Sequence, residues 1–163
     1  MALYTDAHRK AVIARAREAV QARAAGKTAV MLGAGNSRQT FDLNTGGYCN
    51  RFVRQCFETA LGLKPFSWYF GAAKAKDTLR KLSAYKVPLA DRQPGDILGF
   101  PGNPGHIAIY LGKEYQADKE LIAENTSATR GFPRPPGTKV TSYAAVKARI
   151  SGCYRLFDII DKG

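Results

Sequence analysis

The sequence predicts an α+β fold, with helices in the first half packed on an antiparallel β-sheet built by the second. Two observations predict it. Up to about residue 86 the apolar residues recur at intervals of three and four, the period of a helix face. Beyond Pro88 they fall in short runs bounded by Gly, Pro and charged residues, the pattern of strands joined by turns. Helices first and a meander afterwards is an α+β arrangement. The chain of 163 residues is long enough for one core and short for two, so a single domain over residues 1–163 is expected.

The first helix is read from Thr5 to about Ala25. Thr5 or Asp6 supplies the N-cap, Val12, Ile13, Ala16, Ala19 and Val20 form the inward stripe, and Gly26 ends it. Its Arg- and Lys-filled face is expected to be solvated, with polyanion contact the alternative, and residues 1–26 read as a helical extension. "MLGAGNSRQTFDLNTGG" reads as a turn-rich loop. Its Gly33-x-Gly35 lacks the third glycine, the Gly-Lys-Ser/Thr and the following βαβ pattern of a phosphate-binding turn.

From Cys49 to about Leu61, Phe52, Val53, Cys56, Phe57, Ala60 and Leu61 define a second amphipathic helix closed by Gly62. Cys56 lies on its apolar face and reads as a core thiol. Residues 71–86 suggest a third helix, with Ala73, Leu79, Leu82 and Tyr85 inward. The strands are "GDILGF", "GHIAIYLG", "ELIAENTS" and "SGCYRLFD". "TRGFPRPPGTKVTSYAAV" reads as a Pro- and Arg-rich loop ending in a helical turn from Ser142 to Lys147. A loop of that length often carries binding surface, here the wall of a substrate groove.

Lys and Arg number 25 against 13 Asp and Glu, a formal charge of +12. Such a balance favours polyanionic partners: nucleic acid, anionic lipid or the acidic polymers of a bacterial wall. No apolar stretch approaches the ~20 residues of a membrane span. The charged N-terminus lacks the apolar run of a secretory signal, so synthesis in the cytoplasm is expected. Three cysteines without a Cys-x-x-Cys pair, and only His8 and His106 beside them, argue against a zinc site. Seven residues of helix separate Cys49 from Cys56 by roughly 10 Å, too far for a disulfide.

Cys49 opens its helix, where unpaired backbone N–H groups and the macrodipole favour an anion, and the thiolate is the nucleophilic form of cysteine. Gly46-Gly47 supplies a tight turn before it, and the Cys49 N–H is placed to meet a developing oxyanion. A base is then needed. His8 lies on the charged first helix and reads as a surface residue. His106 opens a strand after the turn at Gly105, and from that end it can reach a helix N-terminus packed across the sheet. On the next strand Glu124 or Asn125 could accept a hydrogen bond from the far imidazole nitrogen, and alternation allows only one of the two to face it.

"GGYCNRFVRQCFETALG", "QPGDILGFPGNPGHIAIYLG" and "LIAENTS", over roughly residues 44–157, resemble the papain-fold bacterial cell-wall hydrolases, the NlpC-type peptidases and the related CHAP amidases. The resemblance implies a papain-like fold and a cysteine hydrolase cutting an amide bond of peptidoglycan without a cofactor. Cys49 would attack, His106 would act as base and then acid, and Glu124 or Asn125 would orient it; Asp96 matches a structural position. Departures are Tyr48-Cys49-Asn50-Arg51 in place of Asp-Cys-Ser-Gly, and Thr45 where the family has a tyrosine near the oxyanion. Glu124 and Asn125 are also adjacent here, where CHAP enzymes space the equivalent pair two apart.

The basic charge would then draw the enzyme to anionic wall polymers, and release by phage lysis, a virion or a secretion machine would bring it there. The rival readings are a non-catalytic wall-binding or structural module of the same fold, and nucleic-acid binding. The last rests on charge alone, with no basic-aromatic motif or recognition-helix signature behind it.

Overall fold

The computed structural model describes residues 5–62 and 74–156. Helix α1 (Asp6–Ala24) begins with a capping box: Thr5 accepts from the His8 N–H, and the His8 ring accepts from the Thr5 N–H at 3.0 Å. His8 is therefore occupied at a helix end. Val12, Ile13, Ala16, Ala19 and Val20 are buried, as their spacing requires. Arg23 departs from the expected solvated face. Its guanidinium is buried and donates to Asn44 Oδ1 at 3.0 Å and to the carbonyls of Pro135, Pro136 and Thr138 at 2.9, 2.7 and 2.8 Å. Four acceptors replace the water that a buried cation loses.

The expected loop after α1 contains a hairpin, β1 (Ala29–Leu32) with β2 (Gln39–Asp42). These strands are only four residues long, and in β2 Phe41 alone is buried, so turn-forming residues outweigh the alternation. Helix α2 (Cys49–Leu61) matches its expected bounds, with Phe52, Val53, Cys56 and Phe57 inward and Gly62 in the left-handed region at φ +65°. Helix α3 (Ala75–Lys81) is shorter than the sequence suggested. Leu79 and Leu82 are buried and Tyr85 is partly so, while Ala73 lies outside the described residues.

The sheet holds β3 (Lys86–Val87), β4 (Ile97–Phe100), β5 (His106–Gln116), β6 (Lys119–Thr126), β7 (Gly137–Ser142) and β8 (Gly152–Tyr154), in the order β3-β8-β4-β5-β6-β7 and antiparallel throughout. A short helix α4 (Tyr143–Val146) links β7 towards β8. Strand β7 lies inside the stretch read as loop. Its Thr138, Lys139 and Thr141 hid it by polarity, yet all three are buried, and the strand pairs with β6 from Leu121↔Ser142 to Thr126↔Gly137. The Lys139 ammonium is satisfied by the carbonyls of Ala128 and Arg134 at 2.9 and 2.7 Å, which fastens the intervening loop to the sheet.

The chain is thus mixed α+β. Against one sheet face pack α1 and α2, burying Phe52, Val53 and Phe57 with Ile107, Ile109, Ala123 and Val140. On the other face Leu98, Ala108, Ile122, Tyr143 and Val146 form a smaller core. Strand alternation places Glu124 with Ile122 on this second face and Asn125 with Ala123 on the helix face. Two neighbours in sequence thereby serve opposite sides of the sheet.

Candidate active site

The chain reaches Cys49 by passing over the end of β6. A Cβ on Gly46 would lie 2.5 Å from the Thr126 carbonyl oxygen, so only glycine permits this approach, and Gly47 then turns the backbone at φ +90°. Asn125 fixes the segment from below. Its Oδ1 accepts from the Tyr48 N–H at 2.9 Å, and its Nδ2 donates to the Thr45 carbonyl at 2.8 Å. Cys49 is then delivered as the first residue of α2, partly buried, at an N-terminus that no side chain caps. The Thr45 hydroxyl donates to Asp42 Oδ2 at 2.7 Å, so it is committed to β2 and does not replace an oxyanion tyrosine.

His106 is the first residue of β5, with its ring 5.3 Å from that of Phe100, its cross-strand partner. Its Nε2 lies 2.6 Å from Glu124 Oε1, and the same imidazole interacts with the Cys49 thiol. Burial opposes the imidazolium, but Cys49 and Glu124 together overcome it and raise His106 to about 9.

Glu124 is fully buried and would be expected to hold a proton on that account alone. Instead hydrogen bonds from His106, Arg130 and Thr141, together with the imidazolium charge, bring it down to about 2. Arg130 grips it as a fork, Nε to Oε2 at 3.1 Å and Nη2 to Oε1 at 2.7 Å, and the Thr141 hydroxyl donates to Oε2.

The structure thus brings Cys49, His106 and Glu124 together, with the imidazole hydrogen-bonded to Glu124 and interacting with Cys49. Asn125 holds the backbone leading into Cys49 and makes no hydrogen bond to the imidazole. Cys49 and His106 face a cleft of about 390 Å³, lined also by Tyr48, Arg51, Arg54 and Ser127. A thiol, a basic nitrogen and an oriented carboxylate beside an uncapped helix N-terminus are the parts of a nucleophilic acyl-transfer site.

The other sequence candidates separate from it. Cys56 is fully buried, and burial pushes its thiol up. Asp96 is buried and takes Arg155 in a fork at 2.9 and 2.8 Å and the Gln93 N–H at 2.8 Å, pinning β4 to the chain after β8. Arg130 and Thr141 escaped the sequence reading. Thr141 could have been placed by recognising β7, whereas nothing local marks Arg130, because its approach to Glu124 depends on how the 127–136 loop folds back. No protein-family model matches the sequence.

Proposed function

We propose that the protein is a peptidoglycan hydrolase of papain-like architecture that cleaves an amide bond of the wall peptide by a thiol mechanism. The observation that carries the reading is the series Cys49–His106–Glu124 opening on one cleft. His106, which Cys49 and Glu124 hold protonated against the opposition of burial, carries the proton given up by Cys49 as the sulfur attacks the amide carbonyl. The tetrahedral oxyanion forms beside the first N–H groups of α2. His106 gives its proton to the departing amine, the C–N bond breaks and a thioester remains. Water, activated by the same imidazole, then hydrolyses the thioester and restores the thiol. No resident metal or cofactor enters these steps.

Tyr48 stands half exposed over the cleft beside Cys49, a surface on which a sugar or peptide could lie. The net charge of +12 supports a role for anionic wall polymers in bringing enzyme and substrate together, an attraction that weakens with salt. The site of action in this reading is the bacterial wall, reached after release or delivery.

The test is Cys49→Ala against the unaltered protein on purified peptidoglycan, following turbidity and identifying released ends by mass spectrometry. Loss of lysis and of new ends is expected. A variant that lyses at the full rate would remove the proposal, and a protein that sediments with the wall yet releases nothing would favour the non-catalytic module.

A further inference from the structure

Past His106 a second cleft of about 400 Å³ opens along the 101–105 turn, sharing Pro104, Gly105, His106, Thr126 and Ser127 with the first. Together they make one groove with the imidazole at its middle. Four arginines line it, Arg51 and Arg54 on the Cys49 side and Arg130 and Arg149 beyond His106, and no aspartate or glutamate is among the described residues lining it.

Three of these guanidiniums are engaged by the protein itself. Arg51 donates to the Thr40 carbonyl at 2.8 Å and to Gln55 Oε1 at 3.1 Å, Arg54 sits 3.4 Å from Glu58, and Arg130 is forked on Glu124. Arg149 differs. It lies exposed on the short turn Lys147–Arg149 after α4, and among the described residues no carboxylate or carbonyl holds its side chain. The floor beside it is Phe100, whose ring also meets His106 and Arg130. An apolar floor with one uncommitted guanidinium at the edge suits a peptide stem that carries a carboxylate.

We propose that this second cleft is a subsite for a carboxylate-bearing segment of the substrate, with Arg149 as its specificity-determining residue. The inference rests on the hydrolase reading above. Because His106 delivers its proton to the departing amine, the segment beyond it is the amine half of the cleaved bond. The groove therefore selects for negative charge on that half.

The experiment reads binding apart from turnover. Calorimetry with Cys49→Ala protein would compare the amine half of a muramoyl–L-Ala amide, the synthetic stem peptide L-Ala–γ-D-Glu–L-Lys–D-Ala with its C-terminus amidated, against the same peptide carrying D-isoglutamine. The acidic peptide is expected to bind about fivefold more tightly, the scale of one partly exposed charge-assisted contact. Adding Arg149→Gln should bring the two to equal affinity, and Lys147→Gln, a neighbouring exposed charge outside the groove, should leave the preference intact.

Equal affinities in the parent protein would overturn the subsite. So would a preference surviving Arg149→Gln, an equal loss in Lys147→Gln, or an Arg149-dependent preference for a short oligothymidylate over the acidic peptide. These outcomes stand apart from those of the hydrolase reading, which falls if lysis does not depend on Cys49.

Discussion

Glu124→Gln is the most informative single change at the site, because it preserves volume while altering charge and donor pattern together. In the native arrangement the carboxylate accepts from His106 Nε2, so once the imidazolium has given its other proton to the departing amine, the neutral ring that remains keeps its proton on Nε2. A glutamine has one oxygen for two places, the Oε1 place facing His106 Nε2 and Arg130 Nη2 and the Oε2 place facing Arg130 Nε and Thr141. With its NH₂ in the Oε1 place the imidazole is forced into the opposite tautomer, with a proton where the thiol needs a base.

The electrostatic effect runs the same way. Burial alone would hold His106 below its ordinary 6.5, and Glu124 is one of two groups that raise it to about 9. Each unit corresponds to about 1.4 kcal/mol, so losing the carboxylate removes on the order of 1–3 kcal/mol of preference for the imidazolium. Since the raised value is lost as the partner is removed, the alkaline limb of the pH–rate profile should fall from near 9 by about one to two units. The rate at neutral pH should drop ~10³-fold. The assay is kcat/KM for solubilised peptidoglycan from pH 5 to 10, with circular dichroism to show that the variant is folded. A folded variant within about tenfold of the parent, with its alkaline limb unmoved, would refute the reasoning.

Asn125→Ala should lower kcat/KM about 10- to 100-fold by loosening the approach to Cys49 while leaving the alkaline limb near 9, because Asn125 makes no hydrogen bond to the imidazole. The same pH series measures it. Arg23→Met leaves Asn44 and three backbone carbonyls without their shared donor and should cost about 2–4 kcal/mol, read from the urea midpoint. Iodoacetamide at neutral pH should label Cys49 at least ~10-fold faster than Cys56, whose thiol is fully buried; peptide mapping resolves the two, and equal rates would count against an activated Cys49.

Where the sequence and the structure agree, a single period dominates the segment. Helix α2 was legible from Phe52, Val53, Cys56 and Phe57 at three- and four-residue spacing, and β4, β5, β6 and β8 from apolar runs between turns. The elements that escaped are those whose burial is polar. Strand β7 buries Thr138, Lys139 and Thr141, and α1 buries Arg23, through partners distant in sequence that no local pattern reveals. At the site, alternation left either Glu124 or Asn125 for the imidazole. Only the pairing of β6 with β7 and the return of the 127–136 loop decides between them, because these bring Thr141 and Arg130 to the carboxylate.

The adjacency of Glu124 and Asn125 makes β6 intolerant of slippage in a chemically specific way. A shift of one residue in one direction would set the Glu124 carboxylate beneath the Thr45 carbonyl, where an amide donor is required, and Ala123 before the Arg130 fork. In the other direction it would offer the Asn125 amide to the fork and leave Thr126 beneath Thr45. Both contacts would fail at once. The β5–β6 pairing, by contrast, already changes register on either side of Gly112. Length variation is thus better tolerated in the β5–β6 hairpin before Leu121 than between Leu121 and Asn125. A library of one-residue insertions across β6 should show that boundary as an abrupt change from active to inactive clones.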